Sequence, residues 1–331
     1  MNTILLVGDV HAVEKDLADC QSLIDYIDSI VKENHCIPVF LGDLYDSHAI
    51  IRAEVQRFWY DAFKKLTETE VVMVLAGNHD KPNNKSSNAS ALLAHIGEHV
   101  EVAFADTPIK GIRGSFFKDT LFMGYYDDHE KMIKLANESD CKYLICHQTF
   151  SGAQYENGFF AKDGIDQNLF KQEKIISGHI HKEAILGKVL YPGSPRWRNI
   201  SDATMEERYL YLVDEDLNCI KKYPTSPVCS RIHRLQDTQE SPLSSQVFIE
   251  KDRYHIDIKG DREFTLNRKS LYPNCKVSVC ETKVQPTAIL STQDPLPVSL
   301  NKWLNQFNPK NTYNEDFKNK IKQDPFFKSK L

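Results

Sequence analysis

Short apolar runs alternate with longer segments of helical period through the first two thirds of the chain. Thr3–Val7, Ile37–Leu41 and Glu70–Leu75 have the length and apolar character of buried strands. Between them, apolar residues recur every three or four positions from Val13 to Val31 and from about Ala49 to Leu66, which predicts helices. This strand–helix alternation predicts an α/β fold built in layers.

Later segments continue the pattern and then change it. Further strands are predicted at Lys142–Cys146, Lys174–Ile176, Tyr209–Val213 and Cys219–Tyr223, and beyond Pro227 at Tyr254–Lys259 and Lys276–Cys280. We therefore predict a large domain over residues 1–225, a small α+β domain over 226–285, a proline-rich linker over 286–298 and a helical segment over 299–331. In that last segment Leu300, Trp303, Leu304 and Phe307 form one apolar stripe, which favours a helix that docks on a partner.

Composition and charge narrow the class of protein. The chain has 331 residues, 41% of them hydrophobic, and a net charge of −5, which argues against extensive nucleic-acid contact over the whole surface. The acidic excess lies in residues 1–225, with 24 basic and 34 acidic side chains, where bound divalent cations would offset it. Eight scattered cysteines without a CxxC pair, no secretory leader and no apolar run of membrane-spanning length predict a reducing, cytoplasmic location.

Polar motifs follow the predicted strands directly. In chain order they are Gly8-Asp9-Val10-His11, Gly42-Asp43-Leu44-Tyr45-Asp46, Gly77-Asn78-His79-Asp80, a strand-end His147, and Gly178-His179-Ile180-His181. Because ligands of α/β sheets gather at the carboxyl ends of strands, these motifs are expected to share one site. Two cations roughly 3.5–4 Å apart can clamp a phosphate, and a bridging carboxylate would hold them together. Without a thiolate among the candidates, the set suits manganese, iron or zinc in catalysis better than structural zinc.

The order of these motifs resembles the calcineurin-like metallophosphoesterase superfamily. The resemblance implies a layered sandwich fold and two divalent metal ions. Carried over by motif, Asp9, His11 and His181 would hold the first metal, and Asn78, His147 and His179 the second. Asp43 would bridge both metals, and His79 would be the catalytic histidine that protonates the leaving oxygen or stabilises the transition state. Asp46 and Asp80 would orient ligands, although turn capping explains both equally well.

Three features narrow the resemblance to the SbcD type of DNA-repair nuclease subunit. Tyr191-Pro192-Gly193-Ser194-Pro195 follows the last metal motif, and the segment after Arg231 has the position and size of that family's DNA-capping domain. The segment from Ser299 to Leu304 resembles the helix by which such subunits hold their coiled-coil ATPase. The chain length is closer to compact viral versions of the complex. The second motif departs from many relatives, since Ser47-His48-Ala49-Ile50 follows Asp46.

We therefore predict a metal-dependent DNA exonuclease and endonuclease, the nuclease subunit of an SbcCD-like recombination and repair complex. The expected cofactors are two manganese ions, with iron or zinc as alternatives. The expected partners are DNA, an SbcC-like ATPase and a second copy of the chain. DNA contacts are predicted for Arg231, Arg234 and Arg253. A stand-alone phosphatase or cyclic-nucleotide phosphodiesterase is the enzymatic alternative, and a non-catalytic metal-binding module is the other.

Overall fold

The computed structural model describes residues 2–281, apart from 49, 86–91, 93, 98, 156, 205–206 and 245–247, and beyond them residues 298, 320 and 323. The predicted linker over 286–298 and the predicted helices over 299–331 lie outside the described residues, except at those three positions.

Strands and helices alternate as predicted over residues 4–75, and strands predominate among the described elements after them. The strands are β1 (Ile4–Val7), β2 (Ile37–Phe40), β3 (Val72–Leu75), β4 (Val100–Ala103), β5 (Ile109–Ile112), β6 (Phe116–Met123), β7 (Tyr143–His147), β8 (Lys174–Gly178), β9 (Ala184–Leu186), β10 (Val189–Tyr191), β11 (Tyr209–Val213), β12 (Cys219–Pro224), β13 (Ile232–Thr238), β14 (Arg253–Gly260) and β15 (Lys276–Glu281). The α-helices are α1 (Leu17–Asn34), α2 (Ala53–Leu66), α3 (His129–Glu138) and α4 (Arg262–Lys269).

Two mixed six-stranded sheets organise residues up to Pro224. The first has the order β12-β11-β1-β2-β3-β4, with β1 to β4 parallel and β11 antiparallel to β1. The second has the order β5-β6-β7-β8-β10-β9, in which β6, β7, β8 and β10 are parallel. This arrangement confirms the predicted layered α/β sandwich.

Side-chain alternation along the strands separates three cores. In β1, Ile4 and Leu6 belong to the apolar core shared by the two sheets, whereas Leu5 and Val7 belong to the core under α1 and α2. The second sheet alternates in the same way, with Ile145 of β7 in the shared core and Leu144 in a third core with Met132 of α3. Strands buried on both faces read as continuous apolar runs, which is why periodicity alone located them.

The strands missed by sequence patterning lie mostly in the second sheet. β4, β5, β6, β9, β10 and β13 were not predicted, and neither were α3 and α4. β9 is only three residues long, and its Ile185 is exposed, so no apolar alternation marks it. Phe117 of β6 is buried with a left-handed φ of 52°, an irregularity that breaks period-two alternation.

The chain divides into two compact units. The first comprises Met1–Leu235 with Ser244–Ile256, and the second comprises Gln236–Leu243 with Asp257–Leu331. The strands β13, β14 and β15 form a third, three-stranded sheet in that order. The predicted boundary between residues 225 and 226 stays a prediction. Among the described residues, no helix is long and apolar enough to cross a membrane.

Candidate metal centre

Five strand ends deliver the candidate ligands to one place. In the first sheet, the adjacent parallel strands β1, β2 and β3 end just before Asp9, Asp43 and Asn78. In the second sheet, His147 is the last residue of β7, and His179 follows the neighbouring β8. Stacking the two sheets brings both edges together, so ligands more than 170 residues apart in sequence meet.

The ligand residues themselves carry the unusual backbone. His11, Asp43 and His179 have left-handed φ values of 48°, 50° and 80°. Non-glycine residues adopt this conformation at a free-energy cost, and such residues cluster at functional sites. Among the glycines that begin the four glycine-containing motifs, only Gly42 has a positive φ, of 106°. Gly77 is required for space instead, since a Cβ there would lie 2.1 Å from Asp43 Oδ1.

The first cluster joins Asp9, His11 and His181. The Nε2 atoms of His11 and His181 are 3.0 Å apart, and His181 Nε2 is 3.5 Å from Asp9 Oδ2. Two imidazole lone pairs at this separation repel unless a proton or a cation lies between them. Asp9 also accepts the backbone N–H of His179 at 2.9 Å, which ties the first cluster to the second.

The second cluster joins Asn78, His147 and His179. Asn78 Oδ1 is 3.1 Å from His147 Nε2 and 2.8 Å from His179 Nδ1. His147 Nδ1 donates to the Leu41 carbonyl at 2.7 Å, which fixes the ring orientation and directs Nε2 into the cluster.

Asp43 lies between the two clusters. Its Oδ2 is 3.5 Å from His11 Nε2 and 3.4 Å from His147 Nε2, while Oδ1 accepts the backbone N–H of His79 at 2.8 Å. Within the described part of the chain, the groups of side chains that could hold a metal ion are three. They are Asp9, His11 and His181; Asp43, His147 and His179; and His11, Asp43 and His79. One carboxylate oxygen thus faces both sides, as a bridging ligand must.

Burial and charge set opposite protonation states for neighbouring histidines. Burial lowers the pKa of His147, but the Asp43 and Asp9 carboxylates outweigh it and raise that pKa to about 9. Burial and the adjacent His147 lower the pKa of His179 to about 4. Burial also holds the pKa of His11 well below its usual value. Two of these three rings therefore offer neutral lone pairs at pH 7, the form in which imidazole binds metals.

His79 sits beside the clusters with one ring nitrogen committed. Its Nδ1 donates to the backbone carbonyl of Asp46 at 2.7 Å, which directs Nε2 away from that bond. The ring meets His11 edge-on at 4.7 Å between centroids, and His48 stacks on it at 4.3 Å. The position allows proton transfer at Nε2, so the catalytic role implied by the resemblance stays a prediction consistent with this geometry.

Asp80 and Asp46 have different surroundings. The buried Asp80 accepts backbone N–H groups from Gly77, Leu44 and Tyr45, and so holds the second and third motif loops together. Burial and the Asp43 carboxylate raise the pKa of Asp80 to about 7. The Asp46 side chain lies 3.7 Å from His11 Nδ1 and pairs with the Arg198 guanidinium.

Arg198 and Lys81 lie near the clusters and were not singled out from the sequence, where Tyr125 was interpreted as a packing residue. The Arg198 guanidinium also lies 3.5 Å from His181 Nδ1, Tyr125 stacks on His179 at 5.7 Å, and the buried Lys81 donates to the Tyr125 carbonyl at 2.9 Å. His48 was interpreted from the sequence as a loop residue without a role in the site. Arg198 follows the Tyr191–Pro195 segment by three positions, and that nearness could have indicated a place near the site.

The predicted DNA-contact arginines have partners within the chain. Arg231 pairs with Glu207 at 2.6 Å and lies over the Trp197 ring, and Arg253 donates to the Trp197 carbonyl. Arg234 also makes an interaction within the protein. These contacts anchor the side chains without testing DNA binding, which stays a prediction.

Comparison with known families settles the class of protein. The calcineurin-like phosphoesterase family matches residues 2–183, more than half of the chain. The chain belongs to that family. Membership of the calcineurin-like phosphoesterases implies metal-dependent hydrolysis of phosphoesters, and the sandwich of two mixed sheets agrees with their fold. No curated protein matches the chain in a sequence comparison.

The donor set fits the divalent metals that calcineurin-like phosphoesterases bind. Imidazole nitrogens, carboxylates and an amide oxygen converge without a thiolate, as suits manganese, iron or zinc. The close approach of His11 to His181 and the proton held by His147 both mark places where a cation would relieve repulsion or replace a proton.

Proposed function

We propose that the protein is a two-metal phosphodiesterase that acts on DNA, with exonuclease and endonuclease activity, as the nuclease subunit of an SbcCD-like complex. Asp9, His11 and His181 would hold one cation, Asn78, His147 and His179 the other, and Asp43 would bridge them. The family assignment supports phosphoester hydrolysis. The choice of a diester substrate depends on the surface around the clusters.

Two depressions flank the metal centre, and they carry the diester proposal. One, of about 570 Å³, borders His179 and Tyr125, and the other, of about 470 Å³, borders His48, whose ring stacks on His79. Asn84 lines both of them. A phosphodiester has a substituent on each side of its phosphorus, so it needs room on two sides. A phosphomonoester needs room on one.

The side chains of the site have separate roles in the proposed hydrolysis. When bound, two divalent cations would polarise the phosphoryl oxygens and offset their charge. His79 Nε2 would deliver a proton to the leaving oxygen, with its ring held by the Asp46 carbonyl and by His48. Arg198 would fix the Asp46 loop by its ion pair and add positive charge beside His181. Asp80 would keep the two motif loops in register.

Metal identity, partners and location complete the proposal. Manganese suits a set of oxygen and imidazole donors. An SbcC-like ATPase bound through residues 299–331 and a second copy of the chain follow from the SbcD-type resemblance, and a cytoplasmic location follows from the scattered cysteines.

One alternative enzyme has a specific observation in its favour. A depression of about 570 Å³ also suits a single nucleotide, as a cyclic-nucleotide phosphodiesterase would bind. A stand-alone phosphatase would use the metal centre and only one of the two depressions.

The test compares three substrates with the purified protein. Linear duplex DNA, bis(p-nitrophenyl) phosphate and p-nitrophenyl phosphate are each incubated with manganese and with EDTA, and His79→Ala serves as the control against a contaminating nuclease. We expect manganese-dependent cleavage of DNA and of the diester, faster than that of the monoester, and loss of both in the variant. Preference for the monoester would indicate a phosphatase. Metal binding without hydrolysis of any substrate would indicate a binding module.

A further inference from the structure

Granted the proposed diesterase activity, on which this step rests, we propose that the depression beside His179 binds the nucleobase of the nucleotide that carries the scissile phosphate. The proposal assigns a base-binding role to Tyr155 and Phe160, residues outside the metal motifs. It concerns one substituent of the diester and leaves the other to the depression beside His48.

The depression adjoins the metal centre directly. Its wall includes His179, a candidate ligand of the second metal, and Tyr125, whose ring lies 5.7 Å from that of His179 at an interplanar angle of 24°. Lys81 holds this wall in place, since its Nζ donates to the Tyr125 carbonyl and lies 4.9 Å from the Tyr125 ring centroid. A group attached to a phosphate at the metals therefore reaches the depression without crossing another element.

A turn within residues 153–161 supplies the aromatic side. The backbone N–H of Tyr155 donates to the Phe159 carbonyl at 2.9 Å, and that of Ala161 donates to Ala153 at 2.8 Å. Phe159 and Phe160 are 73% and 61% exposed, and only Phe160 of the two lines the depression. An exposed phenylalanine beside a catalytic centre offers a stacking face that any base can use.

The charges around the depression favour a neutral guest over a second phosphate. Asp127 and Asp163 line it together with a single lysine, Lys162. An anion would meet two carboxylates against one ammonium group. A base presents neutral hydrogen-bonding edges, for which the side chains of Thr149 and Asn84 on the same wall offer partners.

The experiment compares two diesters, one with a nucleoside and one with a methyl group in its place. Thymidine 5′-(p-nitrophenyl phosphate) and methyl p-nitrophenyl phosphate share the leaving group, so the ratio of their kcat/KM values isolates the contribution of the nucleoside. We expect the unmodified protein with manganese to prefer the thymidine ester. Phe160→Ala should lower that ratio about 5- to 100-fold, since base–aromatic stacking contributes about 1–3 kcal/mol. Phe160→Tyr should keep it.

Phe159→Ala is the matched control, because it removes an equally exposed neighbour that does not line the depression. It should leave the ratio unchanged. No preference for the thymidine ester in the unmodified protein, or equal losses in both alanine variants, would overturn the base site while the diesterase proposal stands.

A binding measurement separates the two proposals if neither ester is hydrolysed. Calorimetric titration of the manganese-loaded protein with thymidine 5′-monophosphate and with inorganic phosphate reports the base contribution without catalysis. Tighter binding of the nucleotide that Phe160→Ala abolishes would support the base site although the diesterase proposal had failed. Equal affinities for the two would overturn the base site.

Discussion

Each compact unit of the protein buries a carboxylate, and the two carboxylates are surrounded differently. In the second unit, Asp237 is fully buried and accepts hydrogen bonds from Arg268, Tyr272 and the backbone N–H of Leu243, at 2.6 to 3.0 Å. In the first unit, the buried Asp43 has one oxygen bound to a backbone N–H, while the other faces two imidazoles at 3.4 and 3.5 Å.

The difference separates a structural charge from a functional one. Asp237 has its lone pairs satisfied by donors of its own unit, and those donors lower its pKa against the effect of burial. Asp43 is left with an oxygen aimed at ring nitrogens that are themselves candidate ligands. A buried carboxylate oxygen that faces two imidazoles, in place of guanidinium and backbone donors, has the surroundings of a metal ligand.

The largest effect is expected from removal of the Asp43 carboxylate, which lies between the two metal clusters. Asp43→Ala should empty or weaken both metal positions and abolish ester hydrolysis, because one carboxylate oxygen faces both clusters. His79→Ala should lower the rate by about 10²–10⁴-fold and retain both metals, since a proton donor is not a ligand. Elemental analysis of the purified variants distinguishes the two cases. Equal loss of metal in both would show that His79 is a ligand as well.

The second expected effect breaks the structural charge at Asp237. Asp237→Ala leaves Arg268 without its carboxylate, which should lower the free energy of unfolding of the second unit by about 3–5 kcal/mol. Hydrogen exchange over residues 257–281 would report the loss. Metal content should not change. Arg262 is exposed on α4, the helix that also carries Arg268, so Arg262→Ala is the control. Its expected change in the free energy of unfolding is within about 0.5 kcal/mol. A variant that loses metal as well would contradict the division between the two carboxylates.

The third effect sharpens the comparison within the first unit, where buried His95 differs from His147. His95 lies beside the Tyr45 hydroxyl, and burial lowers its pKa to about 4. In His147, by contrast, the Asp43 and Asp9 carboxylates outweigh the effect of burial. As the pH falls, His95 is protonated in the unfolded chain, where a histidine has a pKa of about 6.5, before it is protonated in the folded protein. Stability should therefore fall by about 2–3 kcal/mol as pH decreases from about 6.5 to about 4.

Denaturant unfolding of the metal-free protein across that range measures the effect. His95→Gln removes the titrating group, so the difference in slope between the two proteins isolates the contribution of His95. Identical slopes would mean that His95 is solvated in the folded state.

The smallest expected effect concerns the end of the chain. Deletion of residues 298–331 should leave hydrolysis of bis(p-nitrophenyl) phosphate unchanged, because the candidate ligands all lie between Asp9 and His181. The same deletion should abolish capture of a coiled-coil ATPase if the apolar stripe from Leu300 to Phe307 docks on it. An insoluble or inactive truncated protein would place that stripe in the core of this chain instead.

Apolar runs and polar motifs in the sequence were enough to predict the layered α/β class and to propose the candidate ligands. The strands β1, β2, β3, β7, β8 and β11 are buried on both faces, so continuous apolar runs mark them in the sequence. Each polar motif lies at or directly after the end of a strand. Short-range physics suffices there, because burial on both faces and glycine next to a polar side chain are local features of the chain.

Only the tertiary structure decided how those residues are used. It placed left-handed backbone at His11, Asp43 and His179, and it explained Gly77 by the nearness of Asp43. It brought His48 onto His79, Arg198 onto Asp46, and Phe160 to the depression beside His179. These contacts join residues tens to more than a hundred positions apart, and no local pattern encodes them. They arise from the packing of the two sheets face to face.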